Sequence, residues 1–172
     1  IGVPLSVLGI EATDELAILE AGISQPHEMA PLREVIQPSI GLFTCLGSAH
    51  QENFVSLEEK LREKLQLFTA CHTTVYGIDD PLVARLMREA CPEGEHLTWS
   101  RKDRTATLYV EREEARGDKT NLQLRALGKD YQLTLPFTDA GYVEDCLVAL
   151  TLITQLAPEL LSQPERWEGL HS

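Results

Sequence analysis

"SIGLFTCLGSAHQENFVSLEEKLREKLQLFTACHTTVYGIDD", residues 39–80, holds two short apolar runs and one amphipathic stretch between them. Ser39 to Leu46 is apolar over the length of a strand, and Thr73 to Tyr76 is a second, shorter strand. Ser56-Leu57-Glu58-Glu59 has the spacing of a capping box: a hydroxyl for the amide of Glu59 and a carboxylate that reaches back. A helix is therefore predicted from Leu57 to about Ala70, followed by a turn at Gly77-Ile78-Asp79-Asp80. Strand, short loop, helix, strand is the repeating unit of a parallel sheet covered by helices.

The same texture extends to either side. Leu16-Ala17-Ile18-Leu19 reads as a buried strand ending at Glu20, and Pro26 suits the first turn of a helix whose buried side is Met29, Leu32, Val35 and Ile36. Pro38 ends that helix, and Pro81 opens another that runs through Glu89. After Pro92 the pattern changes to strands at 97–100, 105–111, 121–127 and 131–135 with polar turns such as Gly128-Lys129-Asp130, which predicts an antiparallel meander. A last helix spans roughly Val143 to Leu156, with Pro158 and a short amphipathic segment after it. The expected fold class is α/β, a mostly parallel sheet flanked by helices with a smaller antiparallel β portion. The parts are 1–91 (α/β), 92–136 (meander) and 137–172 (C-terminal helices), together one domain.

With 172 residues, 43% of them hydrophobic, the chain can bury a sizeable core. Its 15 basic and 27 acidic residues give a net charge of −12, which disfavours a nucleic-acid or anionic-membrane surface. Anionic ligands would need a metal ion or local cations. Cys45, Cys71, Cys91 and Cys146 form no C-x-x-C pair, so a reduced, cytoplasmic protein is expected. No apolar run is long enough to span a membrane, and Ile1-Gly2-Val3-Pro4 lacks the basic start of a signal peptide.

One lysine breaks the helical pattern. At about 100° per residue, counted from Leu57, residues Leu61, Leu65 and Phe68 share a face and Lys64 falls among them, while Lys60 lies at its margin with easier access to water. An ammonium on a buried arc must snorkel, find an anion or lose its proton. A neutral amine can take up carbon dioxide, and the resulting carbamate would be an oxygen ligand for Mg²⁺ beside Glu20. Glu20 ends one predicted strand and His50 follows the next, where open α/β sheets gather ligands. No second histidine stands at metal spacing, which weakens zinc. His27, His72, His96 and His171 read as turn or surface residues, and Cys45 and Cys71 as buried apolar ones. A Gly-x-x-x-x-Gly-Lys-Ser/Thr loop is absent.

The blocks "IGVPLSVL", "LAILEAGISQPHEM", "PSIGLFTCLGSAHQENFVSLEEKLREKLQLF" and "TVYGIDDP" resemble, in order and spacing, the central domain of the Mur ligases, nearest to the branch that adds D-alanyl-D-alanine. The likeness is dense to about Pro81, thin through the meander, and returns weakly at "LPFTDAGYVEDCLVAL". It implies an ATP-dependent ligase of peptidoglycan precursors. ATP would phosphorylate the carboxylate of UDP-N-acetylmuramoyl-tripeptide, and the amine of D-alanyl-D-alanine would attack the acyl phosphate. The resemblance further implies ATP and Mg²⁺ as cofactors, Glu20, His50 and a carbamylated Lys64 as metal ligands, and Lys64 and His50 as the catalytic residues. Asp145 falls where an adenine-contacting asparagine is expected, and Gly77 where relatives have asparagine.

In the family the phosphate-binding loop precedes "IGVP" and a further domain follows "EGLHS", so these 172 residues look like a central-domain fragment, inactive alone. Some members of the branch are fused to an alanine racemase, and such a fusion is a further expectation for the parent protein. Two alternatives stand beside this reading. One is a ligase for another Mur intermediate or for folylpolyglutamates; the other is a degenerate, non-catalytic α/β interaction module.

Overall fold

In the computed structural model, residues 2–47, 50–167 and 170 are described. A seven-residue helix, α1 (Gly2–Leu8), buries none of its residues. Residues 9–28 then run without helix or strand. The strand expected at Leu16 to Leu19 is thus absent: Leu16 is 70% exposed and Ile18 88%. An apolar run becomes a strand only when a neighbour satisfies its backbone groups, and no ladder reaches this one.

Helix α2 (Met29–Ile36) starts later than Pro26 suggests, because the Glu28 carboxylate accepts the amides of Ser24 and Gln25 at 2.6 and 2.9 Å and holds the chain in a turn. It stops where Gln37 takes a left-handed conformation ahead of Pro38. Strand β1 (Ile40–Phe43), helix α3 (Leu57–Leu65) and strand β2 (Thr73–Gly77) follow as the pattern of residues 39–80 requires. The Ser56 hydroxyl accepts the Glu59 amide at 3.0 Å, and the Glu59 carboxylate reaches back to the Val55 amide. Helix α4 (Pro81–Ala90) begins beside Asp80, whose carboxylate takes the Leu82 amide.

Strands β3 (Glu95–Ser100), β4 (Leu108–Arg116), β5 (Lys119–Ala126) and β6 (Lys129–Leu135) complete a mixed six-stranded sheet in the order β1-β2-β3-β4-β5-β6. Here the expected meander is corrected in one respect: β3 pairs with β4 in parallel, Trp99 opposite Leu108, while β4–β5 and β5–β6 pair antiparallel. The reason lies in residues 100–106. The Ser100 hydroxyl accepts the amides of Lys102 and Asp103, and Asp103 accepts the Thr105 amide, so the chain turns twice before re-entering the sheet. Helix α5 (Ala140–Leu156) starts three residues before the expected Val143, since the Asp139 side chain caps the amides of Gly141 and Tyr142.

The chain divides into two compact units: residues 1–41, 46–73 and 85–94, and residues 42–45, 74–84 and 95–172. In the first, Ile23, Met29 and Phe54 pack with Ala21, Leu32 and Leu67, and Leu61, Leu65 and Phe68 are buried. In the second, Leu122, Leu124, Leu133 and Leu135 of the antiparallel strands and Val143, Leu147 and Val148 of α5 are buried. Each such leucine contributes roughly 1.5–3 kcal/mol when taken out of water.

Candidate functional site

Helix α3 carries two lysines one turn apart, and the structure reverses their expected roles. Lys60 is only 1% exposed and its Nζ donates to the Gly47 carbonyl at 2.9 Å. Lys64 is half-buried, with Nζ donating to the Leu46 carbonyl at 3.0 Å. Leu57, the reference for the apolar arc, is 52% exposed in the first turn. Buried positions on α3 also include Glu63, whose carboxylate accepts the Met29 amide at 3.1 Å. Periodicity assigns a residue an angle about the helix, whereas burial depends on what chain lies over it. Here Gly47, after β1, lies over Lys60.

That segment leads to His50, which is exposed and sits in a left-handed conformation, φ 59°, before the short 3₁₀ turn Gln51–Asn53. Glu20 is exposed on the irregular segment ahead of α2. Glu20, His50 and Lys64 all belong to the first compact unit. A carboxylate that sequence reading passed over, Glu28, lies within electrostatic reach of His50. Its pKa is held below the usual carboxylate value, first by the amides of Gln25 and Ser24 and last by the imidazole. An open cleft of about 420 Å³ in the same unit is lined by Pro26, His27, Ser56, Glu58, Glu59 and Glu63 among others, and by none of the three expected ligands.

Asp145, the residue expected at the adenine, and Gly77 both lie in the second unit. A β carbon at Gly77 would stand 2.7 Å from the Trp99 ring, so the indole fills the room an asparagine side chain would need. Trp99 Nε1 is buried without a hydrogen-bond partner among the described residues, and the Arg101 guanidinium lies 4.9 Å from the centre of its ring. Asp145 is exposed on α5, and its charge adds to burial in raising the neighbouring Cys146 thiol. His96 is no surface residue: its Nδ1 lies 3.1 Å from both Thr74 Oγ1 and the hydroxyl of buried Tyr76. Cys45 is exposed, not buried as expected, while Cys71 is buried and its thiol is pushed up to about 11 by burial. His171 lies outside the described residues.

A helix-flanked mixed α/β sheet with this β1–loop–α3 segment defines the class of domain, and comparison with known proteins defines the family. The model of the Mur ligase middle domain matches residues 1–153, and the chain belongs to that family. A UDP-N-acetylmuramoyl-tripeptide--D-alanyl-D-alanine ligase of Borreliella burgdorferi is 36% identical over 67 residues, 39% of this chain and 14% of that protein. The crystal structure of MurF from Acinetobacter baumannii superposes with a TM-score of 0.82 at 19% identity, covering 98% of this chain and 38% of that one. MurF ligase from Thermotoga maritima in complex with ADP gives a TM-score of 0.62 at 17% identity, over 77% of this chain and 31% of that one. The chain thus spans well under half the length of these relatives.

Whether magnesium suits the residues present can be judged from the donors. Among the described residues no three His, Cys, Asp or Glu side chains gather closely enough to hold an ion. Glu20 and His50, on exposed loops of one unit, would supply one hard oxygen donor and one imidazole. Lys64 reaches the carbonyl of Leu46, four residues before His50, so an oxygen carried on its amine would complete a donor set of suitable chemistry.

Proposed function

We propose that the chain is the ATP-binding middle part of a cytoplasmic ligase that joins D-alanyl-D-alanine to UDP-N-acetylmuramoyl-tripeptide through an acyl phosphate. The observation that carries this reading is the family match over residues 1–153, joined to a relative at 36% identity whose name states that reaction. The T. maritima relative in complex with ADP supports adenine-nucleotide use. On this reading residues 1–172 form one central-domain piece, divided as 1–91, 92–136 and 137–172, with Asp145 at the adenine. The parent protein carries the remaining substrate-binding segments, with a fused alanine racemase as a further expectation.

Glu20, His50 and Lys64 as its carbamate would hold Mg²⁺. An ion held there would neutralise phosphate charge, which is what phosphoryl transfer to a carboxylate most requires. The chain's own chemistry at Lys64 is simple to balance. The deprotonated amine attacks the carbon of carbon dioxide, an N–C bond forms as one C=O electron pair moves onto oxygen, and nitrogen gives a proton to water. Glu20 and His50 orient the site from their loops. The 172 residues alone are expected not to turn over, as they span 38% of the A. baumannii enzyme.

The test is ADP release by the full-length protein supplied with ATP, Mg²⁺, the UDP-tripeptide and D-alanyl-D-alanine. Turnover should need all four, fall at least about 100-fold in Lys64→Ala, and return in part with short-chain carboxylic acids. Turnover only with a different amino acid or with folates would overturn the substrate assignment. No turnover with any acceptor, in a folded protein, would leave the interaction module as the better reading.

A further inference from the structure

A lysine that is 1% exposed is an expensive way to fill space, since an ammonium loses its hydration on burial and a methionine of similar length does not. Lys60 spends its ammonium on the Gly47 carbonyl, one residue after the carbonyl taken by Lys64 and three before His50. Successive carbonyls of an extended chain point to opposite sides. Gly47, at φ 65°, lies in the left-handed region, which lets both carbonyls face α3. Two amines one helical turn apart thus grip two consecutive peptide groups of the loop that carries His50.

We infer that Lys60 is a positioning residue for the metal-binding reading of this site: it clamps the His50 loop onto α3 through Gly47. The inference rests on the proposed function for its purpose. If Lys64 becomes a carbamate, its nitrogen no longer carries an ammonium for Leu46, and Lys60 is the cation that keeps the loop in place.

The sign of one measurement separates positioning from simple electrostatics. Removing a nearby positive charge should tighten binding of a divalent cation, whereas loss of a clamp should weaken it. The variant is Lys60→Met in the 172-residue chain, read by amide hydrogen exchange and by Mn²⁺ binding followed by electron paramagnetic resonance. Exchange should speed up in residues 44–47 and 50–55 and stay unchanged in β4–β6, and Mn²⁺ affinity should fall about tenfold, the usual effect of losing a group that orients a ligand. Unchanged loop exchange, exchange accelerated across every segment, or Mn²⁺ bound as tightly or more tightly overturns the clamp. The underlying reading fails separately: Mn²⁺ binding by the unaltered chain that Glu20→Ala and His50→Ala leave untouched, or no binding at all, removes the metal site. Loop exchange in Lys60→Met then still judges the clamp.

Discussion

Replacing Gly77 by asparagine would put a β carbon 2.7 Å from the Trp99 ring, and a buried indole can yield only by shifting the strands around it. Overpacking of this kind costs about 1–3 kcal/mol, so Gly77→Asn should lower the urea midpoint. The same substitution placed on Trp99→Leu should cost less than half as much, which a double-mutant cycle measures. An equal cost in both backgrounds would show that the indole is not what excludes the side chain. Cysteine reactivity offers a second check at this scale. The Cys71 thiol, pushed up to about 11, is almost wholly protonated at pH 8, while Cys45 is exposed. Since the thiolate is the reactive form, maleimide should label Cys45 first and Cys71 only after unfolding, as peptide mass spectrometry would reveal. Sequence could not separate these two cysteines, because only the packed chain covers one of them.

A helix start is legible where its cap is written in a few adjacent residues, as at the start of α3. Ser56 and Glu59 do what their spacing predicts, and Ser56→Ala should cost about 1 kcal/mol, seen as a fall in melting temperature without change in the unfolding slope. The start of α2 was misread because its determinant is Glu28, a carboxylate folded back on preceding amides, whereas Pro26 is the more visible signal. That arrangement carries a pH dependence. The amides of Gln25 and Ser24 hold the Glu28 pKa below the ordinary glutamate value of 4.5. Its contribution to stability is therefore fully present above that value and is lost as pH falls through the lower, folded one. The amide proton shifts of Ser24 and Gln25 should titrate together below pH 4.5, and Glu28→Gln should abolish that titration. A midpoint at or above 4.5 would contradict the hydrogen-bonded turn.

At the scale of the whole molecule, the α/β class was legible because residues 39–80 write strand, capped helix and strand in three different local codes. The candidate site rests on residue types, spacing and resemblance, Glu20, His50 and Lys64, whereas the burial of Lys60 was not legible, because no periodicity specifies which segment lies over a helix. The failed strand at Leu16 to Leu19 has a similar cause: apolar content gives the tendency, while pairing depends on a neighbour that residues 39–80 do not supply. Exposed Leu16 and Ile18 leave their segment with little to hold it, whereas β5 alternates buried and outward residues between two antiparallel partners. Local stability follows buried contacts and protected backbone hydrogen bonds. In the 172-residue chain, amide exchange should therefore finish within the first time points for residues 9–22 and be slowest in β4, β5, β6 and α5. Slow exchange across residues 14–20 would show that the segment pairs as a strand in solution, restoring the reading that apolar content alone suggested.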